Sequence, residues 1–280
     1  MKLSIVTINY NNKDGLQKTV DSVIRQTWRD FEWIVIDGGS KDGSKELLEQ
    51  FQQYFSYWCS EPDGGIYQAM NKGIDHAQGE YLQFLNSGDS LHRKDALEKV
   101  FQQNMNVDIL AAVSVSQETG EPMKIFKQDI LHQLLYDSLN HQATFIRREL
   151  FDKHRYNEDN VIVSDWEFFF QSIIIEGCSY EYSDIIVVDF DTHGISNQPV
   201  YLQTQIKERS RILDKWLSPY IQKDLKDYFN IREEYEYLKK FKKIERKYPY
   251  LTILFVKITS CLTIMSKLLN KMHVQGFSKQ

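Results

Sequence analysis

Four short apolar runs in the first 85 residues, separated by stretches with helical spacing, restrict the fold more than any other feature of the chain. Residues 3–8, 31–36, 55–59 and 81–85 are rich in Ile, Val, Leu and aromatic side chains and read as strands. Between them, residues 16–24 carry apolar side chains at Leu16, Val20, Val23 and Ile24, a helical period. Residues 40–53, with Ser40 or Asp42 placed to cap them, and residues 66–77 read as helices as well. Strand–helix alternation with short connections predicts an α/β fold: a mostly parallel sheet with helices on both faces.

Sheets of that kind bind ligands at the carboxyl ends of their strands. In this chain those ends are polar and glycine-bearing. Asn9, Asn11 and Asn12 follow the first run, Asp37-Gly38-Gly39-Ser40 the second, Glu61-Pro62-Asp63-Gly64-Gly65 the third and Asn86-Ser87-Gly88-Asp89 the fourth. Four consecutive loops of this composition at one edge predict a ligand site. Farther along, residues 107–115 and 179–189 read as strands and 142–146 as a short apolar stretch. Residues 165–176 read as a helix with an acidic first turn. From residue 201 the pattern is helical and heavily charged, so the expected division is 1–200 as a catalytic domain and 201–280 as a helical, basic, amphipathic extension.

Charge separates the same two parts. Residues 201–280 hold 17 Lys+Arg against 8 Asp+Glu, whereas the first 200 hold 17 against 31. An acidic front part argues against nucleic acid as a partner, because neutralising phosphates needs a basic surface. In the tail, Leu251, Phe255, Ile258, Leu262, Met265, Leu269 and Met272 form one apolar helical stripe, interrupted for membrane spanning by Lys257. Either the stripe packs on the catalytic domain or on a second copy, giving a homodimer, or it lies in the membrane interface. The basic run 239–243 favours the membrane. Cys59, Cys178 and Cys261 form neither a disulfide framework nor a zinc pattern, and the N-terminus reads as a strand rather than a leader. A cytoplasmic protein, peripheral at the inner face of the membrane, is expected.

Taken in order and spacing, SIVTINYNN, FEWIVIDGGSKDGS and SEPDGGIYQAMNKGIDHAQGEYLQFLNSGD resemble glycosyltransferase family 2 over about residues 1–200. The resemblance is to the branch that builds bacterial surface polysaccharides. It implies a GT-A-like fold and a metal-dependent, inverting glycosyltransferase. The partners it implies are a nucleotide-sugar donor, UDP by family preference, and a glycan acceptor, lipid-linked, in exopolysaccharide, capsule or O-antigen synthesis. By the same resemblance Asp37 binds the nucleoside, flanked by Thr7, Asn9 and Tyr10; a turn or helix cap is the plainer role for Asp37.

The family's metal motif is a pair or triplet of carboxylates after the fourth strand. Here Asn86, Ser87 and Gly88 leave only Asp89 with a carboxylate, to hold Mn²⁺ or Mg²⁺ together with donor phosphates. His193 is a candidate further ligand, and His141 a lining residue of the sugar or acceptor pocket. Inversion by one displacement needs a carboxylate on the acceptor side. The resemblance puts that base at Asp165, with Glu167, Asp159 and Glu158 as alternatives and a helix cap as the plainer role; Glu167 is also a candidate for the acceptor pocket, and Trp166 either stacks on a sugar ring there or packs in the core. Asp63, Asn71 and Lys72 are candidate donor contacts, Lys72 toward a phosphate. A nucleotidyltransferase would need a Gly-rich basic loop after the first strand, which residues 9–12 do not provide. A weak or inactive sugar-nucleotide or glycan-binding module remains the alternative class. The geometric expectation is that Asp37, Asp89 and Asp165 converge on one cleft.

Overall fold

The computed structural model describes residues 1–103, 105–123 and 129–247. It divides into two compact units, Met1–Trp216 and Leu217–Gln280, so the division falls 16 residues beyond the expected boundary at 200. The apolar stripe of residues 251–272 lies outside the described residues.

The first unit opens with β1 (Leu3–Asn9), α1 (Lys13–Ile24), β2 (Phe31–Asp37), α2 (Ser44–Phe51), β3 (Tyr57–Ser60), α3 (Ile66–His76) and β4 (Tyr81–Phe84). It continues with β5 (Ser90–Leu91), α4 (Ala96–Phe101), β6 (Ile109–Ser116), α5 (Ile130–Tyr136), β7 (Thr144–Arg147) and α6 (Leu150–Lys153). It ends with α7 (Ser164–Phe169), β8 (Tyr180–Phe190) and α8 (Leu202–Trp216). The second unit holds α9 (Pro219–Lys247). The residues expected to form one helix over 165–176 are α7 and a π-helical stretch, Phe170–Ile175, that continues it.

The strands form one sheet in the order β3-β2-β1-β4-β7-β6-β8-β5. All seven residues of β1 and all eight of β6 are buried. Because successive side chains point to opposite faces, both faces of the sheet are covered. The half built from β3, β2, β1 and β4 is parallel, as its crossover helices require. In the other half β6 and β8 are parallel to each other, while β7 runs antiparallel to β4 and β6, and β5 antiparallel to β8, so the sheet is mostly parallel, as expected, with two reversed strands. The reason is local. The chain enters β7 through a one-turn 3₁₀ helix, His141–Ala143, at the edge where β4 ends, without first crossing back along the sheet. That reversal matters for the site, because it sets the 3₁₀ turn and the start of β7 at the carboxyl end of β4 and against β6 and β8.

The core below this edge packs Leu3, Ile5, Trp33, Val35, Tyr81, Phe145 and Val187 between the sheet and its helices. Helix α3 comes especially close to the sheet. A Cβ on Gly73 would stand 2.3 Å from Val6 Cγ1, so glycine is what lets this helix lie flat on β1. The approach sets Tyr67 and Met70 into the cavity at the sheet edge.

Candidate active site

Asp37 ends β2 fully buried. Its Oδ1 accepts from Asn9 Nδ2 at 2.7 Å and from Ser40 Oγ at 2.5 Å, and its Oδ2 accepts from Ser40 N at 3.0 Å and Ser60 Oγ at 2.6 Å. Four donors fill a carboxylate's acceptor sites. Asp37 therefore ties the loops after β1, β2 and β3 together from beneath. The open surface above it is a cavity of about 550 Å³ lined by Asn9, Tyr10, Gly38, Asp63, Asn86 and Ser87, among others. Gly38 gives the Asp63 side chain its room: a Cβ would lie 2.9 Å from Asp63 Oδ2 and shift that carboxylate. Thr7 is buried within β1, where its hydroxyl accepts from Trp33 Nε1 at 3.0 Å.

A neighbouring cavity of about 340 Å³ is lined by Asn86, Ser87, Asp89, His141, Asp165, Asp191 and His193, with Tyr67 and Met70 from α3. Asp89 Oδ1 accepts the Asp191 backbone N–H at 2.9 Å, which joins the turn after β4 to the end of β8. Burial pushes the Asp89 carboxyl up to about 7, and the Asp191 carboxylate adds to the rise, against the opposing pull of that N–H and of His141. Gly88 has φ +107°, and a Cβ on it would sit 2.7 Å from Asp191 Oδ2. Asp191, just past the end of β8, thus sets a second carboxylate beside the 86–89 turn. His193 is exposed. Its Nδ1 lies 2.8 Å from Asp191 Oδ1 and its Nε2 3.1 Å from Glu118 Oε1, which raises its pKa.

Among the described residues, no three His, Cys, Asp or Glu side chains are grouped to hold a metal ion. The donor set nonetheless fits a cation held largely by phosphate oxygens. Asp89 is a buried carboxylate paired with no Lys or Arg, and a second carboxylate faces it across a glycine.

Asp165 begins α7 with its side chain only 16% exposed. Its Oδ1 accepts from the Tyr67 hydroxyl at 3.1 Å, and its Oδ2 lies 3.0 Å from His141 Nδ1. Burial would raise its pKa. The hydrogen bond and charge of His141, the Trp166 backbone N–H and Tyr67 outweigh that and hold the carboxyl below the usual value. An ionised carboxylate only accepts, so His141 Nδ1 donates to it, and Asn86 Nδ2 lies 3.1 Å from His141 Nε2. The chain Asn86–His141–Asp165–Tyr67 crosses the cavity floor from β4 to α3.

Asp89 and Asp165 thus line one cavity, while Asp37 lies outside it under the adjoining one. Other candidates sit elsewhere. Asn71 brackets the 156–158 loop, with Nδ2 donating to Tyr156 O and Glu158 Oε1. Lys72 pairs with Glu61. Glu167 accepts from Asn157 and Asn160 inside that loop. Trp166 is 1% exposed, with its indole N–H on Leu134 O at 2.6 Å. Tyr67, Gln142 and Asp191, which sequence reasoning passed over, line the cavity. Asp191 carried a usable signal, a carboxylate two residues before His193 at the end of an expected strand. Tyr67, within a helical pattern, carried none.

Residues 4–164 match the sequence model described as glycosyl transferase family 2. An uncharacterized glycosyltransferase of Mycobacterium tuberculosis is 35% identical over 209 residues, spanning 70% of this chain and 77% of that protein. Among solved structures, S. aureus TarS 1–349 in complex with UDP-GlcNAc superposes with a TM-score of 0.58 at 20% identity, over 68% of this chain and 58% of that one. A mannosyltransferase from Pyrobaculum calidifontis in complex with GDP-Man and Mn²⁺ gives a TM-score of 0.53 at 15% identity, over 66% of this chain and 56% of that one. The chain therefore spans less than two thirds of these solved proteins.

Proposed function

The chain belongs to glycosyl transferase family 2, and on that premise we propose that it is an inverting glycosyltransferase of GT-A type that moves a sugar from a nucleotide diphosphate to a glycan hydroxyl. The observation that carries the reading is the pairing of two differently tuned carboxylates, buried Asp89 and part-buried Asp165, on one cavity. The nucleoside lies in the larger cavity between Tyr10, Gly38 and Asp63. The sugar reaches toward Asp165 past Asn86 and Ser87.

Asp89, Asp191 and His193 would hold Mn²⁺ or Mg²⁺, whose chemistry is to offset the charge of the departing diphosphate. Asp165 accepts the acceptor hydroxyl's proton as that oxygen bonds to the anomeric carbon and the bond from that carbon to the diphosphate breaks. His141 and Tyr67 hold the carboxylate in place and ionised. With the Trp166 N–H these are three donors on about four acceptor sites, which leaves one site for the incoming proton. TarS in complex with UDP-GlcNAc supports a UDP-sugar as donor. A putative teichuronic acid biosynthesis glycosyltransferase of Bacillus subtilis, 32% identical over 130 residues, supports an acceptor in surface-polysaccharide synthesis, and the basic run 239–243 favours one carried on lipid at the inner membrane face.

Thermal unfolding with UDP-, GDP- and dTDP-sugars and Mn²⁺ tests the reading. A UDP-sugar at about 100 times its Kd should stabilise the protein by roughly 2.7 kcal/mol. Asp89→Ala should lose the Mn²⁺-dependent part of that gain. No stabilisation by any sugar nucleotide would remove the reading.

A further inference from the structure

A second cavity, of about 320 Å³, shares Asp165 and His141 with the first and is walled by Trp166, Asp137, Gln205 and Arg209. Helix α8 is pinned to its rim. Glu208 accepts from Val161 N at 2.7 Å and Ile162 N at 3.2 Å, Gln205 donates to Ser196 O at 2.8 Å, and Arg211 donates to Asn160 Oδ1. Elsewhere on the wall, Asn140 donates to Ser114, Asn197 to Thr192 O, and Asp137 accepts from Ser138 N. Arg209 is different. Its guanidinium stands 4.9 Å from the centre of the Trp166 ring, its Nε is buried without a hydrogen-bond partner, and it is half-buried overall. Among the described residues no carboxylate is paired with it. Asp165 is committed to His141 and Tyr67, and burial draws the Arg209 pKa down. A cation desolvated in this way, on a helix fixed by its neighbours and stacked on an immobile indole, is costly unless a ligand supplies the missing acceptor.

We propose that this cavity is the acceptor subsite and that Arg209 binds an oxyanion on the acceptor, a phosphate or a sugar carboxylate. The proposal rests on Asp165 acting as base. The donor diphosphate belongs with Asp89 and Asp191 in the first cavity, so an anion in the second comes from the molecule being glycosylated. A planar guanidinium suits either oxyanion. Asp137, on the same wall, disfavours an anion lodged away from Arg209 and so narrows where the group can lie.

Calorimetric titration of the full chain with glycerol 3-phosphate, methyl glucuronide and neutral methyl glucoside, each with UDP and Mn²⁺ present, tests this. One or both anionic probes should bind at least about tenfold more tightly than the glucoside, a 1.4 kcal/mol preference. Which of the two does so separates phosphate from carboxylate. Arg209→Gln should erase the preference and Arg209→Lys should keep part of it, with UDP affinity unchanged in both. The lysine variant also guards against a glutamine variant that fails to fold. Equal binding of all three probes by the wild type, a preference that survives in Arg209→Gln, or UDP affinity that falls with Arg209 would each overturn the subsite. An Arg209-dependent preference in a protein that does not bind UDP would support the anion site and sink the donor reading instead.

Discussion

Asp89 and Asp165 show how one edge of a sheet tunes two carboxylates in opposite directions. Asp165 lies below its ordinary pKa because His141, Trp166 N–H and Tyr67 replace the water that burial removes. Tyr156 and Arg209 also sense its charge. Asp165→Asn should lower transfer by about 10²–10⁴-fold and leave UDP affinity close to wild type, since a base acts on the acceptor. Replacing His141 by Ala removes the largest support for the carboxylate, so the acid limb of the kcat–pH profile should move to higher pH. An unmoved limb would detach His141 from Asp165. Asp89 has the opposite sign. Its folded pKa of about 7 lies above the unfolded value, so its contribution to stability is fully present below the unfolded pKa and is lost as pH rises through about 7. Without divalent cation, Asp89→Asn should be more stable than wild type at pH 8, by at most about 4 kcal/mol, and equal to it near pH 3. Paired urea melts at the two pH values check this, and a difference that stays constant with pH would refute it.

At the scale of the element, helix α3 carries Tyr67 to the site through one close contact. Gly73→Ala forces a methyl against Val6. The overpacking should cost about 1–3 kcal/mol, less whatever the better helix propensity of alanine returns. Melting temperature should fall by roughly 2–4 °C per kcal/mol, and Val6→Ala in the same chain should recover part of the loss. A Gly73→Ala protein as stable as wild type would mean that helix and strand separate easily.

The elements that repeat a simple pattern were legible in the sequence: β1, β2, β4 and α3 fall within a few residues of the apolar runs that announced them. What escaped was direction and depth. The two-residue β5 and the reversed β7 depend on where loops leave the sheet, which apolar periodicity does not encode. Asp37 read as a nucleoside ligand or a turn and cap residue, but its carboxylate is filled by Ser40 from its own loop and by Asn9 and Ser60 from two other strands. Asp191 completes the acidic pair from 102 residues beyond Asp89, farther than a local motif can reach. Arg209 stands among the charges of α8, where only the packed Trp166 and an unpartnered Nε distinguish it.

For the whole molecule, the charge asymmetry and the two units coincide. Residues 1–216 hold 21 Lys+Arg against 33 Asp+Glu, and residues 217–280 hold 13 against 6. Every residue lining the three cavities lies in the first unit. No described helix is long and apolar enough to cross a membrane. An acidic catalytic unit is repelled by an anionic bilayer, and a basic unit is drawn to it at about 1 kcal/mol per Lys or Arg near the surface. That attraction fades with salt because the Debye length is only about 8 Å at physiological ionic strength. A chain ending at Trp216 should therefore fold, bind UDP with unchanged affinity and lose association with phosphatidylserine vesicles. The full chain should bind those vesicles at low salt and release as salt rises. Sedimentation with vesicles, paired with UDP titration of both chains, separates the outcomes. Vesicle binding that persists in the shorter chain would place the membrane contact in the acidic unit. Loss of UDP binding would mean that the first unit needs the second to hold its cavities open.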